Sequence, residues 1–183
     1  MKRYFKQLSW PQRVMIIFAV IVLGVFYYYQ TTGSLPLHKD TVMVSVQKSD
    51  DGQSVIKMDD PNSQEIEKEF PMNMTEKEVM DAIHQMSHQK VESRKKWGAI
   101  PLTPGRVNQL LKVVKKNERD YVHSSVYLDI LERWSEGDFS SVDKDHNKIW
   151  NLQGGTVGKA VGILSAEEEK AYIEDHFRVK QED

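Results

Sequence analysis

The strongest hydrophobic signal in the chain is an unbroken apolar run near the N-terminus. Residues 14–29 read VMIIFAVIVLGVFYYY and contain no charged side chain. As a helix rising ~1.5 Å per residue, this run covers roughly 24 Å of a hydrocarbon core about 30 Å thick. Trp10 and Pro11 on one side, and residues 30–32 on the other, extend it to a full span. The pattern predicts a transmembrane anchor at residues 13–32.

The charges beside this run predict its orientation. Basic residues precede the run without any acidic residue, namely Lys2, Arg3, Lys6 and Arg13. Because positive flanks stay in the cytoplasm, residues 1–12 are expected to be cytoplasmic and the C-terminal part extracytoplasmic. A cleaved signal peptide is the alternative, since the run is short. The three tyrosines at residues 27–29 and the poor cleavage context at residues 31–34 favour an uncleaved signal-anchor.

After the anchor the pattern becomes extended. Val42, Val44 and Val46 alternate with polar residues, and residues 55–58 resume an extended pattern after the turn signal at residues 49–52. This spacing predicts a β-hairpin within a linker of residues 33–73. Residues 59–71 are polar and bounded by prolines, so we expect them to be irregular.

From residue 74 onward the apolar spacing becomes helical. Capping boxes at Thr75–Glu78 and Ser165–Glu168 predict two helix starts, and Thr103-Pro104 predicts another. Apolar residues recur at helical spacing in five segments: 79–91, 107–114, 127–134, 142–152 and 171–177. The break at residues 97–101 is expected to pack inward through Trp97. The predicted fold is mainly α: a transmembrane helix, a small β-hairpin, and a compact extracytoplasmic bundle of about five short helices at residues 74–183.

Composition removes several kinds of chemistry. The chain has 183 residues and no cysteine, which excludes disulfides, thiolate nucleophiles and cysteine-bound zinc. Charged residues make up 28% and hydrophobic residues 39%, as in a folded domain.

The stretch NLQGGTVGKAVGIL at residues 151–164 suggests a phosphate-binding loop but does not meet its requirements. A Walker loop needs glycine where Gln153 stands and a hydroxyl side chain where Ala160 stands, and it must follow a strand. Gly154 is instead expected to end a helix, together with the glycine after it. Gly158 and Gly162 would then form a close-packing face on a further helix at residues 156–164.

Two histidines are the metal-ligand candidates. His84 and His88 lie one helical turn apart, and Asp81 lies one turn before them, a set that suits zinc or iron. All three fall nearly opposite the apolar stripe of their helix, so they are expected to be exposed. Without an identified third ligand, two histidines on one helix are more typical of a solvated polar face. The sequence therefore predicts no metal site and leaves these three as weak candidates.

The remaining motifs are incomplete. Residues 143–147 resemble the start of a calcium loop, but Lys148 and Gly154 stand where glycine and glutamate are required. His146 is instead expected to hydrogen-bond inside the bundle. His123-Ser124-Ser125 lacks the elbow of a serine hydrolase. We therefore predict no catalytic residue, no cofactor-binding residue and no cofactor.

Charge distribution bears on possible partners. The formal net charge is −2, yet residues 90–119 contain nine basic residues and two acidic ones. Such a basic surface could bind another envelope protein or an anionic envelope polymer. An ordinary solvated surface is the alternative. Nucleic acid is not an expected partner outside the membrane.

Several stretches together resemble a known family: MTEKEV from Met74, HQMSHQKV from His84, KWGAIPLTP from Lys96, YLDILERW from Tyr127, and residues 137–169. They resemble uncharacterised single-pass membrane proteins from bacillus-like Gram-positive bacteria, over roughly residues 70–178. The resemblance implies a cell-membrane location and a bacterial source. It implies no activity and no site residues.

These observations favour a non-enzymatic, membrane-anchored interaction or accessory module of the bacterial envelope. A metal-dependent or carboxylate-based envelope enzyme is one alternative, based on Asp81, His84 and His88. A domain that senses a small ligand is the other.

Overall fold

The computed structural model describes residues 9–32, 40–48, 54–59 and 63–181. The chain divides into two compact units, residues 1–38 and residues 39–183.

The first unit contains helix α1 (Trp10–Thr32). The helix begins at Trp10 with Pro11 in its first turn, where the missing N–H of proline costs no helical hydrogen bond. Residues 10–27 have a mean hydropathy of 1.7, and none of them is buried within the protein. The helix is therefore long and apolar enough to cross a membrane, a property that N-terminal signal sequences share.

The second unit is built from six short helices and five short strands in the described residues. The helices are α2 (Ser63–Glu69), α3 (Glu76–Ser87), α4 (Pro104–Lys116), α5 (Ser124–Ser135), α6 (Val142–Leu152) and α7 (Ala166–His176). The strands are β1 (Thr41–Lys48), β2 (Ser54–Asp59), β3 (Val91–Ser93), β4 (Ala160–Ile163) and β5 (Arg178–Gln181). The prediction of a mainly helical fold with a small hairpin is confirmed.

The hairpin belongs to a three-stranded sheet in the order β2-β1-β5. β1 and β2 are antiparallel, with Val44 opposite Met58, and the turn predicted at residues 49–52 lies outside the described residues. β5 pairs with β1 in parallel, with Val42 opposite Val179. The sheet packs on α7 through a small core that includes Ile173. The C-terminal strand was not predicted, because four residues at the chain end carry little periodicity.

The main core joins α3, α4, α5 and α6. Ile83, Leu110, Ile130 and Ile149 are all fully buried in it. The capping boxes at Thr75 and Ser165 are both formed, so the predicted starts of α3 and α7 are confirmed.

Two regions near these helices differ from the prediction. The segment expected to be irregular, residues 59–71, contains α2, because Ile66 and Phe70 lie one turn apart and are both buried in the main core. The Phe70 carbonyl also accepts a hydrogen bond of 2.9 Å from Gln109 on α4. α3 ends at Ser87 rather than near Val91, because Val91 pairs with Ile163 between strands β3 and β4.

The glycine-rich stretch does not form the predicted second helix. Gly154, with a φ of +68°, ends α6 as expected. Gly158 has a φ of +93°, which no right-handed helix allows, and β4 begins two residues later. The prediction of a helical packing face with Gly158 and Gly162 is wrong, because this segment pairs with β3 as a strand.

Trp97 and part of the basic segment also differ from expectation. The Trp97 side chain is 46% exposed and does not pack inward as predicted. Two of the nine basic residues are buried in ion pairs, Lys90 with Glu169 at 2.8 Å and Arg106 with Glu69 at 3.0 Å. These two cations hold elements of the domain together and are not part of a docking surface.

Candidate metal centre

Helix α3 presents two histidines to the interior of the domain. His84 is half-buried, and His88, at the C-cap of the helix, is 2% exposed. The prediction that this face is exposed is wrong. Val79 and Ile83 fill the main core on one side of α3, and α6 packs against the other side. Burial of both faces of one helix cannot be read from its own amphipathic pattern.

The third histidine comes from α6. His146 is 1% exposed and lies 62 residues further along the chain than His84. Its neighbour Asp145 accepts hydrogen bonds of 3.1 and 2.7 Å from the two terminal guanidinium nitrogens of Arg133. Trp134 donates to the same carboxylate at 3.1 Å. Asp145 therefore anchors α6 on α5 at the turn that carries His146.

The three imidazoles form one cluster. The Nε2 atoms of His84 and His146 are 3.0 Å apart. The ring of His88 lies 4.9 Å from that of His84 and 5.6 Å from that of His146, measured between centroids. One ring nitrogen from each of the three histidines lies within 4.8 Å of the others. The expectation that His146 would hydrogen-bond inside the bundle is confirmed, with the Asn147 side chain as the partner of its Nδ1.

A backbone carbonyl sets the tautomer of His88. Its Nδ1 lies 2.8 Å from the carbonyl oxygen of Gly98. A carbonyl oxygen only accepts, so this Nδ1 carries the proton and donates it. The Nε2 atom of His88 is then an unprotonated nitrogen with a free lone pair.

A side-chain relay sets the tautomer of His84. Asp81, whose other carboxylate oxygen pairs with Lys77, accepts a hydrogen bond of 2.8 Å from the amide nitrogen of Gln153. That contact orients the Gln153 amide, so its oxygen faces Nδ1 of His84. His84 therefore donates from Nδ1, and its Nε2 is unprotonated.

The same logic applies to His146. The amide of Asn147 donates to the Ala160 carbonyl at 2.9 Å and accepts from the Ala160 N–H at 2.8 Å. With its orientation set by these two bonds, Asn147 presents its oxygen to Nδ1 of His146 at 3.2 Å. His146 therefore also donates from Nδ1 and leaves Nε2 unprotonated.

These three assignments leave the Nε2 atom of each clustered histidine unprotonated. Two lone pairs 3.0 Å apart on His84 and His146 repel each other unless a cation lies between them. Histidines that bind metals almost always donate the other ring N–H to a fixed acceptor, as all three do here. Three such side chains with their supporting hydrogen bonds could hold a metal ion.

Burial keeps these imidazoles neutral. Desolvation lowers the pKa of His88 to about 3 and the pKa of His146 to about 4. It also lowers the pKa of His84. The positive charges of neighbouring protonated histidines and of Lys96 contribute to these low pKa values of His88 and His146. Neutral imidazole is the form that binds metals, so the cluster is in its ligand form at neutral pH.

A cavity of about 350 Å³ borders the cluster. Its lining includes His84 and His88, the indoles of Trp97 and Trp150, Lys95, and residues 153–158 of the glycine-rich stretch. Trp150 donates from Nε1 to the Val157 carbonyl at 2.9 Å, which holds this stretch beside the cluster. The glycines that suggested a phosphate loop thus form a wall of the histidine cavity. They follow a helix and precede a strand, the reverse of a Walker loop.

The other candidate residues from the sequence lie outside the histidine cluster. Asp81 is not one of the three clustered side chains and supports His84 through Gln153. The backbone N–H of His123 donates to Glu76 at 2.8 Å, at the start of α5.

Sequence reasoning found His84 and His88 but missed His146 as their partner. The expected burial of His146 on another helix was the one available signal. Sequence spacing does not show that this helix packs against α3.

Comparison with known proteins gives one family match. Residues 83–174 match the model of a family described as "Family of unknown function (DUF6241)". The match covers half of the chain, so the chain belongs to this family. All three histidines of the cluster lie within the matched residues. No curated protein matches the chain. No solved structure matches it either.

Proposed function

We propose that this member of DUF6241 is a membrane-anchored, extracytoplasmic protein that binds one divalent transition-metal ion. The ligands are the Nε2 atoms of His84, His88 and His146. The observation that carries the proposal is the set of three Nδ1 hydrogen bonds, to Gly98, Gln153 and Asn147, which leaves an unprotonated Nε2 on each of three clustered histidines.

The donor atoms indicate which metal binds. Imidazole nitrogen suits Zn²⁺, Cu²⁺, Ni²⁺ and Fe²⁺, whereas Ca²⁺ and Mg²⁺ require oxygen ligands. The three-histidine set, with neutral ligands and no thiolate, is one that catalytic sites use for Zn²⁺. We therefore propose Zn²⁺ as the first metal to test.

Membrane anchoring is the second part of the proposal. It is supported by the exposed apolar helix α1 and by the basic residues before it. A Gram-positive bacterial envelope is the location that we propose.

The metal test uses untagged full-length protein in detergent micelles, first treated with a chelator and then titrated with Zn²⁺. Wild-type protein is expected to bind one equivalent and to gain thermal stability as free Zn²⁺ rises above the dissociation constant. His84→Gln, His88→Gln and His146→Gln should each lose stoichiometric binding. His176→Gln is the matched control, because His176 stacks on Tyr172 outside the cluster.

Two results would contradict the metal proposal. One is a wild-type protein that retains no equivalent of Zn²⁺, Cu²⁺, Ni²⁺ or Fe²⁺. The other is a His146→Gln variant that binds as wild type does, which would place the ion on other ligands.

The topology test uses the absence of native cysteines. Ser9→Cys and Lys159→Cys place single thiols at exposed positions on either side of α1 in the sequence. On intact cells without an outer membrane, a membrane-impermeant thiol reagent should label Lys159→Cys and leave Ser9→Cys unlabelled. The reverse labelling would refute the proposed orientation, and a shortened mature chain would indicate a cleaved signal sequence.

A further inference from the structure

The protein supplies three ligands to an ion that prefers four. In the described part of the chain, the cluster contains three side chains of the metal-binding types. The nearby carboxylate of Asp81 is already paired, with Lys77 through one oxygen and with Gln153 through the other. Zinc sites with three protein ligands take their fourth ligand from outside, whereas structural zinc sites are closed by four protein ligands.

The cavity gives that fourth position a route to solvent. Two of the three ligand residues, His84 and His88, line it. Its volume of about 350 Å³ is at the lower end of the range of small-molecule sites. A ligand on the metal would therefore occupy this cavity.

The charges of the cavity select an anion. A bound divalent cation and the neighbouring Lys95 are positive, and the charge of the lining carboxylate Asp81 is balanced by Lys77. Thr156 and Val157 also line the cavity, and their backbone N–H groups make no hydrogen bond within the described residues. N–H groups and a lysine complement an anionic oxygen donor.

The cavity walls select a flat apolar group. Trp150 is held in place from two sides: its Nε1 donates to Val157, and its ring lies against Gly155, where a Cβ would be 2.3 Å from the indole. Trp97 is the second indole on the cavity and is 46% exposed. Indole faces bind flat apolar groups by stacking or edge contacts.

We infer that the metal ion binds a small aromatic carboxylate in this cavity, with the carboxylate on the ion and the ring against Trp97 and Trp150. This inference rests on the proposed metal site. It makes the domain a receptor for such a ligand. No hydrolytic role is assigned, because both oxygens of the cavity carboxylate Asp81 are already hydrogen-bonded.

The test replaces zinc with Co²⁺ in the full-length protein. Co²⁺ accepts similar geometries and its visible spectrum changes when a ligand enters the coordination shell. Benzoate is the probe, acetate lacks the ring, benzamide lacks the charge, and inorganic phosphate is a different anion. We expect benzoate to change the spectrum with a dissociation constant of about 1 mM or tighter. Acetate should bind about tenfold more weakly, and benzamide should leave the spectrum unchanged.

Two variants of residues that line the cavity test its ligand preference separately from metal binding. Trp97→Ala should remove the preference for benzoate over acetate while Co²⁺ still binds with one equivalent. Lys95→Gln should weaken benzoate binding several-fold, whereas Lys159→Gln, an exposed lysine that does not line the cavity, should have no effect.

The outcomes separate the two proposals. Failure to bind one equivalent of Co²⁺ contradicts the metal site itself. If the protein binds one equivalent of Co²⁺ but no anion changes the spectrum, the inference of an open fourth coordination position is overturned. Equal binding of acetate and benzoate, or tighter binding of phosphate than of benzoate, would overturn the inference that the ligand is an aromatic carboxylate.

Discussion

Position 158 requires glycine for two reasons, its positive φ and the close approach of the Lys95 carbonyl. Its φ is +93°, and a Cβ there would lie 2.6 Å from the carbonyl oxygen of Lys95. We predict that Gly158→Ala destabilises the domain by about 1–3 kcal/mol, because an L residue is strained at this φ and the backbone must also move. Urea denaturation of wild type and variant measures the difference.

Gly162 is the matched control for this substitution. It lies in β4 without a positive φ, and a Cβ there would meet its nearest atom, Glu92 Oε2, at an ordinary 3.5 Å. Gly162→Ala should therefore change the free energy of unfolding by less than about 1 kcal/mol. Equal effects at the two glycines would contradict the close approach of Gly158 to Lys95.

The buried histidines predict acid sensitivity of the metal-free protein. His146 has a pKa of about 4 in the folded state and an ordinary value of 6.5 when unfolded. Below pH 6.5 the unfolded state therefore binds a proton that the folded state excludes, so stability falls as the pH falls towards 4. We predict that wild type loses about 1–2 kcal/mol relative to His146→Gln between pH 7 and pH 5.

The measurement is urea unfolding in the presence of a chelator at a series of pH values. The comparison with His146→Gln is needed because Glu69 acts in the opposite direction. Burial and Asp40 raise the pKa of Glu69 to about 7, so its protonation favours the folded state as the pH falls. A stability difference between wild type and variant that does not change with pH would contradict a neutral, buried His146.

At the scale of elements, an ion pair with a buried carboxylate ties α6 to α5. Asp145 accepts from Arg133 through both of its oxygens and from Trp134. Asn at this position keeps one acceptor oxygen but loses the charge, and breaking an ion pair around a buried group costs several kcal/mol. We predict that Asp145→Asn destabilises the domain by about 2–4 kcal/mol and weakens Zn²⁺ binding about tenfold or more, because His146 follows directly.

Asp129→Asn is the control, measured by the same denaturation and titration. Asp129 also pairs with Arg133, at 3.5 Å, but its side chain is 58% exposed. Exposed pairs contribute about 0–1 kcal/mol, so this variant should unfold and bind Zn²⁺ nearly as wild type does. Similar losses in both variants would show that α6 is not positioned by the buried pair.

At the scale of the whole molecule, residues 39–183 form a compact unit of their own. We predict that a chain beginning at Lys39 is soluble without detergent and unfolds cooperatively, with a mainly helical circular dichroism spectrum. A chain beginning at Glu76 lacks β1 and β2 and so leaves β5 unpaired and Phe177 uncovered. It should be markedly less stable. A Lys39 chain that is unfolded would mean that another segment or partner completes the core.

Local features of the second unit were predictable from sequence. The starts of α3 and α7 followed from Thr75 and Ser165, because a capping box is formed within four consecutive residues. The β1–β2 pairing followed from alternation and a short connection. Pairings between segments far apart in the sequence were not predictable, namely that of β5 with β1 and that of β4 with β3.

The candidate site shows the same division. His84 and His88 were recognisable because their spacing on one helix is local. Their burial was predicted wrongly, because the exposure of a polar face depends on which other element covers it. His146 was missed as their partner, because its position depends on the Arg133–Asp145 pair and on the packing of α6 against α3.

The sequence by itself determined an apolar N-terminal helix, the capped helices of a mainly helical domain, and the absence of cysteine chemistry. These follow from composition and from interactions within a few residues, which the order of residues specifies directly. The tertiary structure decided that three histidines meet, that their Nδ1 atoms are each engaged by Gly98, Gln153 or Asn147, and that the glycine-rich stretch lines their cavity. These depend on contacts between segments far apart in the chain, and such contacts form only when the helices pack.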